Sequence, residues 1–527
     1  MKKKLLLLVA CLLTFALVLT ACGDDSGSGT ATDNNDNDVV DNGGTDATDA
    51  DDAPDNGELD WDPDSHLELT WMTILHTPNP PTNVAYSLIE AATNTTIDWI
   101  WIPDATRNER ITTALASGEL ATIVTFTDLQ NPTVRNAMNA GVFWELSPFL
   151  DYFPNLSQIS EARRRSASIE GQLYGIPLER WATRRGFTVR QDWLDNLGLD
   201  TPTTMDELFE VAYQFTHNDP NGDGSETFGF IGRTEWIMMS FSNTLAFMGG
   251  PNRWRVEDDG SFTHAFETDE WIENMQWWRR VVDYGLINPD FLVTPTADQN
   301  QLFAQGRGGL YPNLTNIGAL RNLAEGLHDD EFALAPINRV SNGDGVYRVI
   351  GEGANGVGGV FSIPKSEVAT EAELMRVLSF IDRLFDRDIH MYITGGIEGE
   401  HYQFNDDGSF EVIDTDAWTV DVQPLGQNMA SVVRIVHPQA HPELQARDEF
   451  ILENEGLSVF NPTFGLDSET FNQRGADLDM MMHDATTQYV MGAIDMDAFL
   501  AVLEDWRNSG GRQMAEEFAA SYARMNQ

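Results

Sequence analysis

Residues 219–227 read Asp-Pro-Asn-Gly-Asp-Gly-Ser-Glu-Thr, with oxygen side chains at the first, third and fifth positions and Gly at the sixth. That spacing matches the first half of an EF-hand-type calcium loop, where alternate residues point inward and glycine permits the sharp turn. Asp219, Asn221 and Asp223 are the first candidate ligands, Ser225 offers its carbonyl oxygen, and Glu226 or Thr227 closes the site. No Glu stands at the twelfth position, so the bidentate closure of a full EF-hand is missing. An ordinary Asp/Asn/Gly turn is the competing reading. The expected ion is a structural Ca2+ that pins the turn after a helix and takes no part in catalysis.

A second chemical group lies near the start. Lys2, Lys3 and Lys4 precede an apolar run over 5–19, which ends in Leu19-Thr20-Ala21-Cys22-Gly23. The run is too short and too early for a membrane span and fits a signal peptide over 1–21. Small residues before a cysteine resemble the bacterial lipobox, in which the Cys22 thiol takes a diacylglycerol; an ordinary signal peptide with a chance cysteine is the alternative. The mature chain is then lipid-anchored on the extracellular face of the membrane. The one other cysteine, Cys11, leaves with the signal, so the exported part has no disulfide.

Residues 22–65 are Asp, Asn, Gly, Ser and Thr with almost nothing apolar before Leu59 and Trp61. Such a segment buries too little surface to offset its ordering entropy and is expected to be an extended, acidic tether. The chain carries a net charge of −51; fifteen of its acids lie in 23–65, and the globular part keeps roughly −39. That field repels nucleic acid and anionic membrane, which removes both as partners. The sequence holds no H-E-x-x-H, G-x-S-x-G or P-loop motif, and prolines follow both His437 and His441, which argues against a helical metal pair.

The elements that must position these groups begin near residue 66. Leu67–Met72 alternates like a strand, a helix spans 82–93, and a second strand spans Thr96–Ile102. Asn108–Ala116 reads as a helix ending at Gly118, and Ala121–Phe126 as a buried strand. Strand and helix alternating through short joints predict an α/β sheet with parallel strands. Thr204-Met205-Asp206-Glu207 is a capping box that opens a helix to about Thr216. Thr268 caps another helix, whose Trp271, Met275, Trp278 and Val282 share one face and are expected in the core.

Four stretches carry a family resemblance. They are Leu69-Thr70-Trp71-Met72 through Pro78, Gly171–Pro177 followed by Arg190–Leu199, Gly285–Phe291, and Gly395–Tyr402. From Leu67 onward the chain resembles the extracellular solute-binding proteins of bacterial ABC sugar importers, in the oligosaccharide branch with lipoprotein LplA and the alginate-binding proteins. The resemblance implies a two-lobed α/β clamp of the periplasmic-binding-protein type II class, hinged between lobes and closing on an oligosaccharide. It implies a first lobe over 66–179 returning over 349–410, a second over 180–348, and a helical part over 411–527 packing mainly on the second. It further implies a calcium site at the 219–227 loop, which is one residue shorter here, and ABC permease subunits as partners of a monomer that is not an enzyme.

Sugar recognition needs flat apolar faces plus polar groups that meet hydroxyls. Glu179-Arg180-Trp181 at the first crossing and Arg253-Trp254 after Gly249-Gly250 suit that task. Tryptophans stack on sugar in the matching family loop, where Arg253 replaces one of the usual pair. The resemblance adds a ligand-facing pair, Glu398 and His401, and His76 ends the first strand. A glycoside hydrolase, or a sugar sensor for a membrane kinase, remains the alternative function.

Overall fold

A computed structural model describes residues 61–526, except 78, 181, 329–331, 352–354 and 430–437. Cys22, the signal and the tether up to residue 60 lie outside the described residues, as do Trp181 and His437.

The opening strands form as their alternation requires. β1 (Leu67–Leu75) pairs in parallel with β2 (Thr95–Pro103) and with β3 (Ile123–Phe126). The crossovers are the helices Asn83–Thr93 and Arg107–Ser117. The second helix stops where Gly118 takes a left-handed φ of 73°. Next comes β4 (Ile176–Glu179), after which the chain leaves this sheet.

A second sheet is built from β5 (Phe187–Arg190), β6 (Phe228–Phe230), β9 (Gly308–Tyr311) and β10 (Leu334–Ile337), in the order β10-β5-β9-β6. Between β6 and β9 lies the hairpin of β7 (Trp254–Val256) and β8 (Phe262–His264). The chain then passes β11 (Val349–Ile350) and returns as β12 (Val357–Ser362), antiparallel to both β3 and β4. The first sheet therefore runs β2-β1-β3-β12-β4.

Each sheet has its own core. The first gathers Trp71, Phe126, Phe361 and Phe380, and the second gathers Phe187, Trp193, Phe230 and Trp278. Burying one such side chain contributes about 1.5–3 kcal/mol. The expected capping box is present, with Thr204 Oγ1 accepting from the Glu207 N–H at 3.2 Å and a Glu207 carboxylate oxygen accepting from the Thr204 N–H. Trp271, Met275 and Trp278 are buried, and Val282 is partly buried against them.

The C-terminal part divides between the two cores. Leu425 and Met429 join the first, whereas Leu478, Met482, Trp506 and Phe518 join the second. Asn428 explains the first attachment, because its carbonyl accepts from Thr73 Oγ1 at 2.8 Å and its amide donates to Ile74 O at 2.8 Å. Among the described residues no helix is long and apolar enough to cross a membrane.

Candidate functional site

A cavity of about 450 Å³ lies between the two sheets. Its first wall is the segment Thr127–Gln130, just beyond the C-terminal end of β3, together with Gly358 and Gly359 of β12. The edge beyond the carboxyl ends of parallel strands is where open α/β sheets leave room for a ligand. Gly359 has a φ of 148°, and a Cβ there would collide with the Phe126 carbonyl. A Cβ on Gly358 would collide with the Arg180 side chain. Two glycines thus let β12 pack against its neighbours and face the cavity with bare backbone.

The opposite wall comes from the second sheet's lobe: Phe241, Arg253, His264 and Phe266, with Arg185 of the crossing segment beside them. A third contribution is late in the chain. Asp479 and His483, one turn apart on the helix Glu469–Val490, line the same cavity with Asn461 and Phe464. Aromatic faces beside a few polar groups match what a pyranose requires, a face for its C–H side and partners for its hydroxyls.

The polar groups form one cluster. Arg253 and Asp479 make an ion pair. His264 is 3% exposed, and its Nδ1 accepts from the Phe266 N–H at 3.2 Å, which places its proton on Nε2. Burial, then the Arg253 charge, hold His264 well below the ordinary histidine range. The same two causes lower His483 to about 4. Both rings are therefore neutral at pH 7.

The expected ligand residues separate. Arg253 lines the cavity. Trp254 does not present a stacking face: it is 2% exposed, packed edge-on to His264 at 4.6 Å and to Phe518 at 5.4 Å. Trp254 opens β7 with its ring in the core, while Arg253, just before the strand and at a left-handed φ of 64°, lines the cavity. His401 is also buried, at 2%; its Nδ1 accepts from the Ile397 N–H and its Nε2 lies 3.5 Å from Asp421. That pairing ties down its loop, and His401 does not line the cavity. Glu398 is exposed beside the hairpin Tyr402–Phe404/Phe410–Val412 and does not line the cavity.

Arg180 donates to the Gln427 carbonyl and lies against the cavity-lining Gly358. Burial, then the nearby Arg184, lower its guanidinium to about 10. Glu179 belongs to β4, opposite Val357. His76 stands 3.7 Å from Asp104, and burial keeps it below its ordinary value. The sequence reading did not reach Gln130, His264, Asp479 or His483. The i, i+4 spacing of Asp479 and His483 was the available signal, inside a Met-rich stretch that otherwise reads as core.

At the 219–227 loop the candidate ligand side chains bond within the protein. Asn221 turns inward: its Oδ1 accepts the indole N–H of the fully buried Trp193 at 2.9 Å, and its amide donates to Gly306 O at 3.0 Å. Thr227 is 2% exposed and its hydroxyl donates to Phe215 O at 2.7 Å. Both side chains, expected as metal ligands, are thus hydrogen-bonded within the protein. The Asp219 carboxylate accepts from the Gly224 N–H, Asp223 from the Ser225 N–H, and Glu226 pairs with Arg307 at 2.9 Å. As the loop stands, Asn221 and Thr227 are engaged inside the protein, and Asp219, Asp223 and Glu226 accept from N–H groups of the chain. Among the described residues no group of three or more His, Cys, Asp or Glu is placed to hold a metal ion.

The family model described as bacterial extracellular solute-binding protein matches residues 81–387. The polygalacturonan/rhamnogalacturonan-binding protein YtcQ of Bacillus subtilis (strain 168) is 38% identical over 463 residues, covering 87% of this chain and 92% of its own. Lipoprotein LipO of the same strain is 31% identical over 467 residues, covering 86% and 91%. Among solved structures, the alginate-binding protein AlgQ2 without calcium ion matches with a TM-score of 0.62 at 20% identity, covering 87% of this chain and 98% of that one. This last likeness concerns the fold, a two-lobed α/β architecture.

Proposed function

The chain belongs to the bacterial extracellular solute-binding proteins, and from that premise we propose that its cleft captures an oligosaccharide for delivery to an ABC importer. The observation that carries this reading is the cavity of about 450 Å³ walled by elements of both sheets. A ligand that touches both walls stabilises the closed state over the open one, and its release reopens the clamp. The relatives named for glycans and for lipoprotein character support the reading.

The finer parts belong to the same proposal. Cys22 carries the lipid, residues 22–65 hold the domain off the membrane, and the domain acts as a monomer that docks on permease subunits. Arg253 contacts the sugar, and Arg180 borders it. No turnover is expected. A glycosidase needs two carboxylates flanking the scissile bond, and of the cavity's two acids, Asp128 and Asp479, the second is committed to Arg253.

Calorimetric titration against a panel of oligosaccharides tests the reading, with saturable binding of at least one glycan expected. A chain that binds no glycan but takes up a peptide would sink it.

A further inference from the structure

Resting on the oligosaccharide reading, we propose that His264 is a specificity-determining residue of the cleft, whose Nε2–H donates to one oxygen of the captured sugar. The hairpin fixes the ring in place. Trp254, which opens β7, stands directly opposite His264, which ends β8. Their rings meet edge-on with centroids 4.6 Å apart, and the rings of Phe266 and Trp506 lie 4.0 Å and 5.1 Å from the imidazole. Three aromatic neighbours leave the ring little room to turn, and only 3% of the residue is exposed. One nitrogen is engaged locally. Nδ1 accepts from the Phe266 N–H at 3.2 Å and so caps the short helical turn Ala265–Glu267.

What remains is a single donor on the cavity wall, which His264 helps to line. A neutral imidazole carries one N–H, and with Nδ1 accepting, that proton sits on Nε2. Burial, then the Arg253 charge, keep the ring neutral. Among the described residues Nε2 meets no hydrogen-bond acceptor. Of the cavity's two acids, Asp479 pairs with Arg253, and Asp128 belongs to the opposite wall. A buried N–H left without a partner is costly, so a ligand that brings an oxygen to it is favoured over one that leaves it bare. Specificity follows from the same cost. A site built to bond a hydroxyl rejects the analogue lacking it far more strongly than an apolar wall separates similar shapes. The bond joins neutral partners, so it reads the position of an oxygen and is indifferent to the net charge of the glycan.

The exported chain is titrated calorimetrically with a panel that includes maltotriose, cellotriose, galactotriose and a galacturonic acid trimer, and the tightest binder is compared with its monodeoxy forms. One monodeoxy form should bind about ten- to a hundredfold more weakly than its parent. His264→Phe should lower affinity for the parent by a similar factor, and for that monodeoxy form by no more than about twofold. His264→Gln, which returns an N–H near the same place, should recover most of the loss. On the unsubstituted chain, NMR of 15N-labelled histidine should show His264 as the Nε2–H tautomer from about pH 5 to about pH 8, with that N–H shifting when the same glycan is added. Unchanged affinity in His264→Phe overturns the assignment and leaves the oligosaccharide reading standing. So do equal losses for the parent and every monodeoxy form, an Nδ1–H tautomer, or an N–H that does not respond to bound glycan. Failure of every glycan to bind overturns both.

Discussion

The indole N–H of Trp193 donates to Asn221 Oδ1 at 2.9 Å, joining the core of the second sheet to the turn after the helix Met205–His217. A cation that drew Asn221 away from this bond, instead of using the oxygen's second lone pair, would leave a fully buried indole N–H unpaired, a cost of about 1–3 kcal/mol. Arg307, paired with Glu226, already supplies positive charge beside the loop, and it helps hold Asp223 below the usual carboxylate range after the Ser225 hydrogen bonds. The exported chain should therefore melt at the same temperature in EDTA and in excess Ca2+, within about 1 °C. A chelator-induced drop with stoichiometric calcium by elemental analysis would show that the loop rearranges around an ion.

Trp254 belongs to the core, so its truncation should act on stability. Trp254→Ala removes an indole wedged among Phe262, His264 and Phe518. The loss should be about 3–5 kcal/mol, read as a lower midpoint in urea. An unchanged midpoint would mean that the ring is free to face the cleft.

What the sequence made legible was local. The capping box at Thr204, the parallel start of the first sheet and the apolar face of the helix Asp269–Asp283 follow from spacing alone. The site was harder to read because its walls are assembled from distant segments. Trp254 looks like a platform until Phe518 is placed against it, and His401 looks like a ligand until Asp421 is beside it. Asp479 and His483 share a helix with the buried Leu478 and Met482, so only packing separates the cavity face from the core face.

Acid should weaken the fold through the cleft histidines. His483 is lowered to about 4 by burial, then by Arg253, whereas an unfolded histidine titrates near 6.5. Between those values the unfolded chain binds more protons, so stability falls as pH drops from about 6.5 toward 4. The full effect of His483 is at most about 3.4 kcal/mol, at 1.36 kcal/mol per pH unit over about 2.5 units. His483→Gln should flatten the decline in melting temperature between pH 6.5 and 4.5 relative to the wild type. Parallel curves for the two proteins would refute this assignment.

Anchoring depends on one atom, the Cys22 sulfur. Cys22→Ser should leave the protein unprocessed or release it to the medium, and fractionation with mass spectrometry of the N-terminus reads the outcome. A processed Cys22→Ser form retained in the membrane would falsify lipid attachment at this residue.

The last prediction concerns the clamp as a whole. Gln130 stands beyond β3 on the first wall, and Arg253 stands on the opposite wall. If ligand bridges them, each truncation removes only part of the closed-state stabilisation, and Gln130→Ala and Arg253→Ala should each weaken binding by roughly tenfold, about 1.4 kcal/mol. Glu398→Ala should change affinity little, because Glu398 lies on the hairpin side away from the cavity lining. Ligand at about a hundred times its Kd should add about 2.7 kcal/mol of stability, seen as a rise in melting temperature. Small-angle scattering should show the same titration making the chain more compact. If Glu398→Ala abolishes binding while Gln130→Ala is neutral, the ligand sits at the hairpin and the cavity is not the site.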